Sequence, residues 1–232
     1  MATVRQFSPE HLAALGVLAV AAGLSVWLAR CGRDRATVAL SRTVALVILA
    51  GWIGEQVADV VEGIWSVKFT LPLQLTDVVS LTAVAALWRP RPLLVELTYF
   101  WALTASLQAT LTPDLARTFP SVFYFTYFAY HCGAIVAACL LVFGRRMYPR
   151  PGAPVRVFAA TLVVAAVAGG ADLVTGGNYM YLRQKPAHSS LLDLMARWPW
   201  YIVETAIVGL AMLVALQALT GYARGRTRPA RR

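Results

Sequence analysis

Charged residues are scarce in this sequence. Only 14% of its 232 residues are Asp, Glu, Lys or Arg, whereas 59% are hydrophobic and the mean hydropathy is +0.62. A soluble domain contains roughly 45–50% apolar residues. The scarcity of charge therefore excludes an ordinary soluble domain and indicates a multi-pass protein of the cell membrane, with membrane lipids as its expected partners.

Recognised motifs for binding nucleic acids, metals and cofactors are also missing. The net charge of +10 is spread over several loops and no nucleic-acid motif accompanies it, so nucleic-acid binding is not expected. The three histidines have no HxxxH or HxxE spacing, which leaves a zinc hydrolase built on His11, His131 and a carboxylate without support. The last apolar segment has no lysine for a retinal Schiff base. We expect neither a cofactor nor a metal, and protein partners are not indicated.

Seven apolar segments are each about 16–22 residues long, enough to cross a hydrocarbon core about 30 Å thick as helices. Their connections are short, which predicts one all-α transmembrane bundle over residues 1–221 and an Arg-rich tail over residues 222–232. The predicted spans are His11–Leu28, Val44–Val61, Leu73–Trp88, Leu93–Leu111, Val122–Phe143, Val155–Val174 and Trp200–Leu219.

Basic residues alternate between the two sides of this bundle. Fifteen of the 21 Lys and Arg residues lie in the connections after the first, third and fifth spans and in the tail. Because cytoplasmic loops carry an excess of Lys and Arg, the pattern predicts an N-terminus outside and a C-terminus in the cytoplasm.

Carboxylates gather in the predicted outer half of the second span. Glu55, Asp59 and Glu62 are spaced four and three residues apart, so they share one face of a helix. One interpretation is a proton or metal site, because like charges in a dry setting must bind a proton or a cation. The other is a wet vestibule in which they pair with Lys68 or Arg183.

The third span starts with a polar cluster that suggests a functional site. A carboxylate such as Asp77 costs at least a few kcal/mol inside a bilayer unless it is partnered, which makes such a cluster a candidate functional site. Thr76 and His131 form the sharpest catalytic pair, since a hydroxyl is a weak nucleophile until a base takes its proton. At 1.5 Å per residue the two differ in depth by about 7 Å. The competing interpretation is a Thr76 hydroxyl bonded to its own helix.

Further polar residues at this end are predicted to surround the pair. Tyr127 lies one turn from His131, Asp77 or Glu204 would orient the imidazole, and Asn178 or loop amides would stabilise an oxyanion. The residues predicted to line the pocket or orient the reacting groups are Gln74, Asp77, Tyr127, Asn178, Tyr201 and Glu204.

Local patterns predict the surroundings of this cluster. Ser8 is expected to cap the first helix, with His11 as a surface or capping histidine. The aromatic residues from Phe119 to Tyr130 are typical of a belt at the membrane surface. The loop 176–186 is too aromatic for a solvated linker, so we expect it to fold onto the bundle mouth. Glu96, near the opposite end, is expected either to snorkel to the membrane surface or to pair with arginine.

Five segments of the chain resemble the bacterial YwaF family of integral membrane proteins. They are residues 7–11, residues 71–77, the aromatic run ending in His131, residues 178–186 and residues 198–201. That family is similar to the TMEM164 acyltransferases and, more distantly, to the androgen-induced-gene membrane hydrolases. The resemblance implies acyl transfer or lipid ester hydrolysis with a cysteine or threonine nucleophile and a histidine. It also implies histidine at position 74 and cysteine at position 76, where this chain has Gln74 and Thr76.

Two classes of function follow from these patterns. The first is a lipid acyl hydrolase or acyltransferase with Thr76 as nucleophile and His131 as general base, open to the outer leaflet. The second is a non-enzymatic transporter or small-ligand sensor whose outer carboxylates carry protons or bind a cation; these carboxylates are Glu55, Asp59, Asp77 and Glu204.

Overall fold

A computed structural model describes residues 4–32, 34–115, 117–186 and 190–226, and within these ranges the secondary structure is helical with no strand. The predicted all-α class is therefore confirmed for the described part of the chain. Ser8 caps the first helix by accepting a hydrogen bond from the His11 amide, as its sequence position predicts. The α-helices are α1 (Pro9–Cys31), α2 (Asp34–Val61), α3 (Leu75–Trp88), α4 (Pro92–Trp101), α5 (Leu107–Leu111), α6 (Val122–Cys139), α7 (Ala153–Thr175) and α8 (Trp200–Arg226).

Two π-helices and two 3-10 helices complete the secondary structure of these ranges. One π-helix, Ala102–Ser106, joins α4 to α5, and the other, Leu140–Gly144, follows α6. The 3-10 helices are Tyr179–Tyr181 and Leu191–Leu194. Helix α8 runs to Arg226, into the predicted tail, and the rest of that tail lies outside the described residues.

Five of the described helices are long and apolar enough to cross a membrane, fewer than the seven predicted. They are α1, α2, α6 with its π-helix, α7 and α8 up to Ala223. Helix α3 is apolar but has only 14 residues, a length of about 21 Å. The run from α4 to α5 is helical throughout, but the π-helix divides it into shorter pieces.

Helix α6 lies at the centre of the bundle. Within its apolar window 78% of the residues are buried, compared with 6% to 28% for the other four candidate spans. Helix α2 packs along α6 more extensively than any other pair of described helices, and α1 and α3 also pack against α6. The outer helices therefore face lipid while α6 faces protein.

The central position of α6 corrects the prediction of an aromatic belt. Five of the seven aromatic side chains between Phe119 and Tyr130 are buried, and only Phe119 and Phe125 are exposed. The buried rings pack against one another, for example Tyr124 against Phe128 with centroids 4.8 Å apart. The belt prediction is thus wrong for most of these residues, because composition does not tell which helix the others enclose.

A glycine allows α2 to approach α6 closely. A β-carbon built on Gly133 would lie 2.5 Å from Cγ1 of Ile48, a fully buried residue of α2. This distance is well inside the normal contact of two carbon atoms, about 3.5–4.0 Å. Any larger residue at position 133 must therefore displace the Ile48 side chain or the two helices.

Gly133→Ala is expected to destabilise the protein by about 1–3 kcal/mol, the usual cost of overpacking a core. The measurement is the unfolding midpoint of the purified protein in detergent. Gly170→Ala is the matched control, because Gly170 lies inside α7 and a β-carbon added there would meet open space, and it should leave the midpoint unchanged or raise it slightly. Equal midpoints for the two variants would contradict the close approach.

At the end of the bundle opposite Thr76, a buried carboxylate joins three segments. Glu96 of α4 is 1% exposed and accepts hydrogen bonds from the guanidinium groups of Arg150 and Arg156, at 2.8–3.2 Å. Charge-assisted pairs of this kind are the strong ones. Of the two predicted roles of Glu96, pairing with arginine is the one observed, and it links α4 to α7 and to the connection that precedes α7.

Candidate functional site

The polar cluster at the start of α3 is organised by hydrogen bonds to Asp77. Its carboxylate accepts the Gln74 amide (3.2 Å) through one oxygen and Nε1 of Trp52 (3.2 Å) through the other. Gln74 occupies the N-cap position, so Asp77 satisfies an amide that the helix itself leaves unpaired. Trp52 was not predicted, and its only signal in the sequence is its position one turn before Glu55.

The loop 176–186 folds onto this helix start, as predicted. The Gln74 side-chain oxygen accepts a hydrogen bond from the Met180 amide at 2.8 Å. The buried Tyr179 hydroxyl accepts from the Leu71 amide (3.0 Å) and donates to the Val67 carbonyl (2.8 Å). Backbone groups of the segment between α2 and α3 are thus paired with the loop.

Asp172 anchors the loop from the end of α7. It is 1% exposed, and its Oδ1 accepts the Tyr179 amide at 2.7 Å. A β-carbon on neighbouring Gly177 would lie 2.5 Å from the Lys68 carbonyl oxygen, so the loop approaches the α2–α3 connection too closely for a side chain there.

His131 is buried in α6 with a defined tautomer. Its Nδ1 lies 2.9 Å from the Tyr127 carbonyl oxygen, and because a carbonyl only accepts, Nδ1 carries the proton. Nε2 then has its lone pair available, and no described residue forms a hydrogen bond with it. The Tyr127 ring stacks on the imidazole with centroids 4.1 Å apart, so Tyr127 orients His131 in two ways.

Thr76 lies in the first turn of α3 and is half-buried. It precedes Val79, Ser80 and Ala83, all fully buried, at the spacing that puts four residues on one helix face. Its side chain therefore lies at the N-terminal end of the inward face of α3, and α3 packs against α6. Within the described ranges its hydroxyl forms no hydrogen bond, neither to its own helix nor to His131.

The other predicted pocket residues have structural partners. The Tyr127 hydroxyl donates to the Ala109 carbonyl (2.8 Å) and the Tyr201 hydroxyl to the Tyr181 carbonyl. The Asn178 side-chain oxygen accepts the amides of two loop residues, and Glu204 accepts the Ala196 amide (2.8 Å). Asn178 and Glu204 therefore shape the neighbouring loops, and the described contacts do not connect them to His131.

Glu55 of α2 and Glu62, which directly follows α2, lie in different environments. Glu62 forms an ion pair with Arg117, so the predicted partners Lys68 and Arg183 are wrong for it. Arg183 instead donates to the backbone carbonyls of Asp172 in the last turn of α7 and of Gly177 in the loop. Glu55 accepts a long hydrogen bond from the Tyr130 hydroxyl (3.5 Å), and its other oxygen is buried without a partner among the described residues.

His11 is buried, so of its two predicted roles, surface or capping histidine, the surface role is wrong. Its exposed fraction is 0%, and its Nδ1 accepts the Phe7 amide at 2.9 Å. Nε2 must then carry the proton, which it donates to the Thr110 carbonyl at 2.9 Å. Both ring nitrogens are used by the backbone, which leaves neither for a zinc ion.

These features define a multi-pass membrane protein with an all-helical bundle, whose central helix carries a buried histidine below a polar, loop-covered end. Within that class the chain belongs to the TMEM164 family, whose family model matches residues 6–217. No curated protein and no solved structure matches the chain.

Asp172→Ala is expected to release the loop, because the Tyr179 amide loses its acceptor, at a cost of about 1–3 kcal/mol. Hydrogen–deuterium exchange of peptides covering residues 176–182 measures the loss as faster exchange. Val174→Ala is the control, since Val174 is 88% exposed at the same helix end. Unchanged exchange in Asp172→Ala would show that the loop does not depend on this contact.

Proposed function

We propose that the protein is a lipid acyl hydrolase or acyltransferase in which Thr76 is the nucleophile and His131 the general base. The observation that carries the proposal is the tautomer of His131, whose Nδ1–H is bound to the Tyr127 carbonyl while Nε2 keeps its lone pair. An imidazole held in this way is prepared to accept a proton from a hydroxyl.

In the proposed reaction the Thr76 oxygen attacks the carbonyl carbon of a lipid ester as Nε2 of His131 takes the hydroxyl proton. The C–O bond to the lipid alcohol then breaks, and the proton passes from Nε2 to the leaving oxygen. Water or a second lipid alcohol attacks the acyl-threonine in the same manner, which gives hydrolysis or transfer. The half-buried position of Thr76 on the inward face of α3 supports its role as nucleophile. The hydrogen bond between a nucleophile and its general base often tightens only when substrate binds.

The resemblance to the YwaF family and its relatives supports the same chemistry. It implies a cysteine or threonine nucleophile and a histidine, and this chain carries a threonine at position 76. A threonine suits the hydrolase branch of these relatives. Gln74, where the resemblance implies a histidine, binds the Met180 amide and so takes a structural role in this chain.

His131→Asn and Thr76→Val are expected to lower fatty-acid release from lipid esters by about 10²–10⁴-fold, the usual contribution of a general base. Asparagine places an N–H donor where Nδ1 lies, so it keeps the bond to Tyr127 and lacks only the base. Valine matches the shape of threonine without its hydroxyl. The measurements are fatty-acid release and fluorophosphonate labelling of the purified proteins.

Two further variants separate chemistry from folding. Thr76→Ser retains a hydroxyl and should keep measurable activity. Thr82→Val removes another hydroxyl of α3, one bonded to the Val78 carbonyl, and should behave as wild type. If wild type, His131→Asn and Thr76→Val label and hydrolyse alike, the acyl-enzyme mechanism is wrong.

We also propose that the chain crosses the cell membrane seven times with its N-terminus outside. The alternation of basic residues supports this orientation, and α3 and the run from α4 to α5 supply the two spans that are not long continuous α-helices. The site at the start of α3 would then open to the outer leaflet.

Cys31 is a natural reporter of this orientation because it is exposed, whereas Cys132 and Cys139 are half-buried. A membrane-impermeant maleimide is expected to label Cys31 only after cells are permeabilised. In a Cys31→Ser background, Gln184→Cys in the exposed part of the loop should be labelled in intact cells. The reverse pattern would invert the topology.

A further inference from the structure

A cationic cavity of about 280 Å³ lies at the end of the bundle remote from Thr76. It is formed by the end of α1, the start of α2 and the end of the π-helix that follows α6. The lining residues are Ala29, Arg30, Asp34, Thr37, Gly144, Arg145 and Arg146. Three arginines thus line the cavity, and Asp34 is the only acid among the lining residues.

The arginines of this cavity differ from those beside Glu96. Arg150 and Arg156 are neutralised by a buried carboxylate, whereas Arg30, Arg145 and Arg146 form no ion pair with any residue in the described ranges. Nε of Arg30 donates to the Phe143 carbonyl at 3.0 Å. This bond holds the guanidinium at the cavity and leaves its terminal N–H groups for another acceptor.

The backbone adds to the positive potential. Helix α2 starts at Asp34 and has 28 residues, and the first amides of a helix have no partner within it. Such an end attracts anions. Guanidinium groups match the oxygen atoms of a phosphate group.

The surface next to the cavity is apolar. On α1, Leu24 and Trp27 are 49% and 58% exposed, and at helical spacing they lead to Arg30 one turn further on. Acyl chains can lie along this stripe while a head group reaches the arginines. A free phosphate ion would use the arginines alone.

We propose that this cavity binds the phosphate group of an anionic membrane phospholipid, with the lipid chains against α1. The cavity supplies the charge and the hydrogen-bond donors, and the stripe of α1 supplies the apolar surface. This site is separate from Thr76 and His131, so it does not depend on the proposed acyl chemistry.

The test is retention of lipid by the purified full chain in detergent, counted by native mass spectrometry during titration with phosphatidylglycerol. Arg145→Gln with Arg146→Gln is expected to weaken binding about tenfold, the effect of losing one or two charge-assisted hydrogen bonds. Arg89→Gln with Arg91→Gln removes the same charge from an exposed turn at the same end of the bundle and should change binding by less than about twofold.

Parallel titrations identify the source of the phosphate. Phosphatidylcholine should bind more weakly than phosphatidylglycerol, and millimolar inorganic phosphate should not displace the lipid. Displacement by inorganic phosphate would overturn the lipid assignment in favour of a free ion. Equal weakening by the two double substitutions, or full binding by Arg145→Gln with Arg146→Gln, would overturn the site.

Discussion

The structure depends on one constraint: the polar side chains of α6 must find hydrogen-bond partners within the protein. Lipid offers them no hydrogen-bond partner, so each must find one on a neighbouring helix or on its own backbone. The Tyr124 hydroxyl donates to the Glu10 carbonyl, the Tyr127 hydroxyl to the Ala109 carbonyl, and His131 to its own helix. These bonds tie α6 to α1 and α5. The apolar outer helices then enclose α6 and face the membrane.

The same constraint explains why the candidate site lies where α3, α6 and the loop 176–186 meet. Here a short helix begins inside the bundle, and its unpaired amides draw in the Asp77 carboxylate, while the loop is held by Gln74 and Asp172. These contacts cover the start of α3 with the loop. At the opposite end the buried carboxylate of Glu96 uses two arginines, and the cavity beside α2 leaves three others for an anion.

Expectations that rest on neighbours in the chain agree with the structure. Ser8 caps α1, Tyr127 lies against His131 one turn away, and the apolar segments form helices. Expectations about partners on other helices agree less often: Glu62 pairs with Arg117 and His11 with Thr110. Such partners depend on how each helix is rotated and how deep it sits, and many rotations satisfy the same hydropathy. The pairing of Thr76 with His131 is of this second kind and stays a prediction.

By itself the sequence determined the membrane class and the approximate helices, because hydropathy and local hydrogen bonding act over a few neighbouring residues. It also indicated that polar groups gather at one end. Only the tertiary structure decided that α6 is the enclosed helix and that most of its aromatic rings face protein. These outcomes follow from close contacts between segments far apart in the chain, such as Gly133 against Ile48 and Asp172 against the loop. Their geometry exists only once the helices have packed.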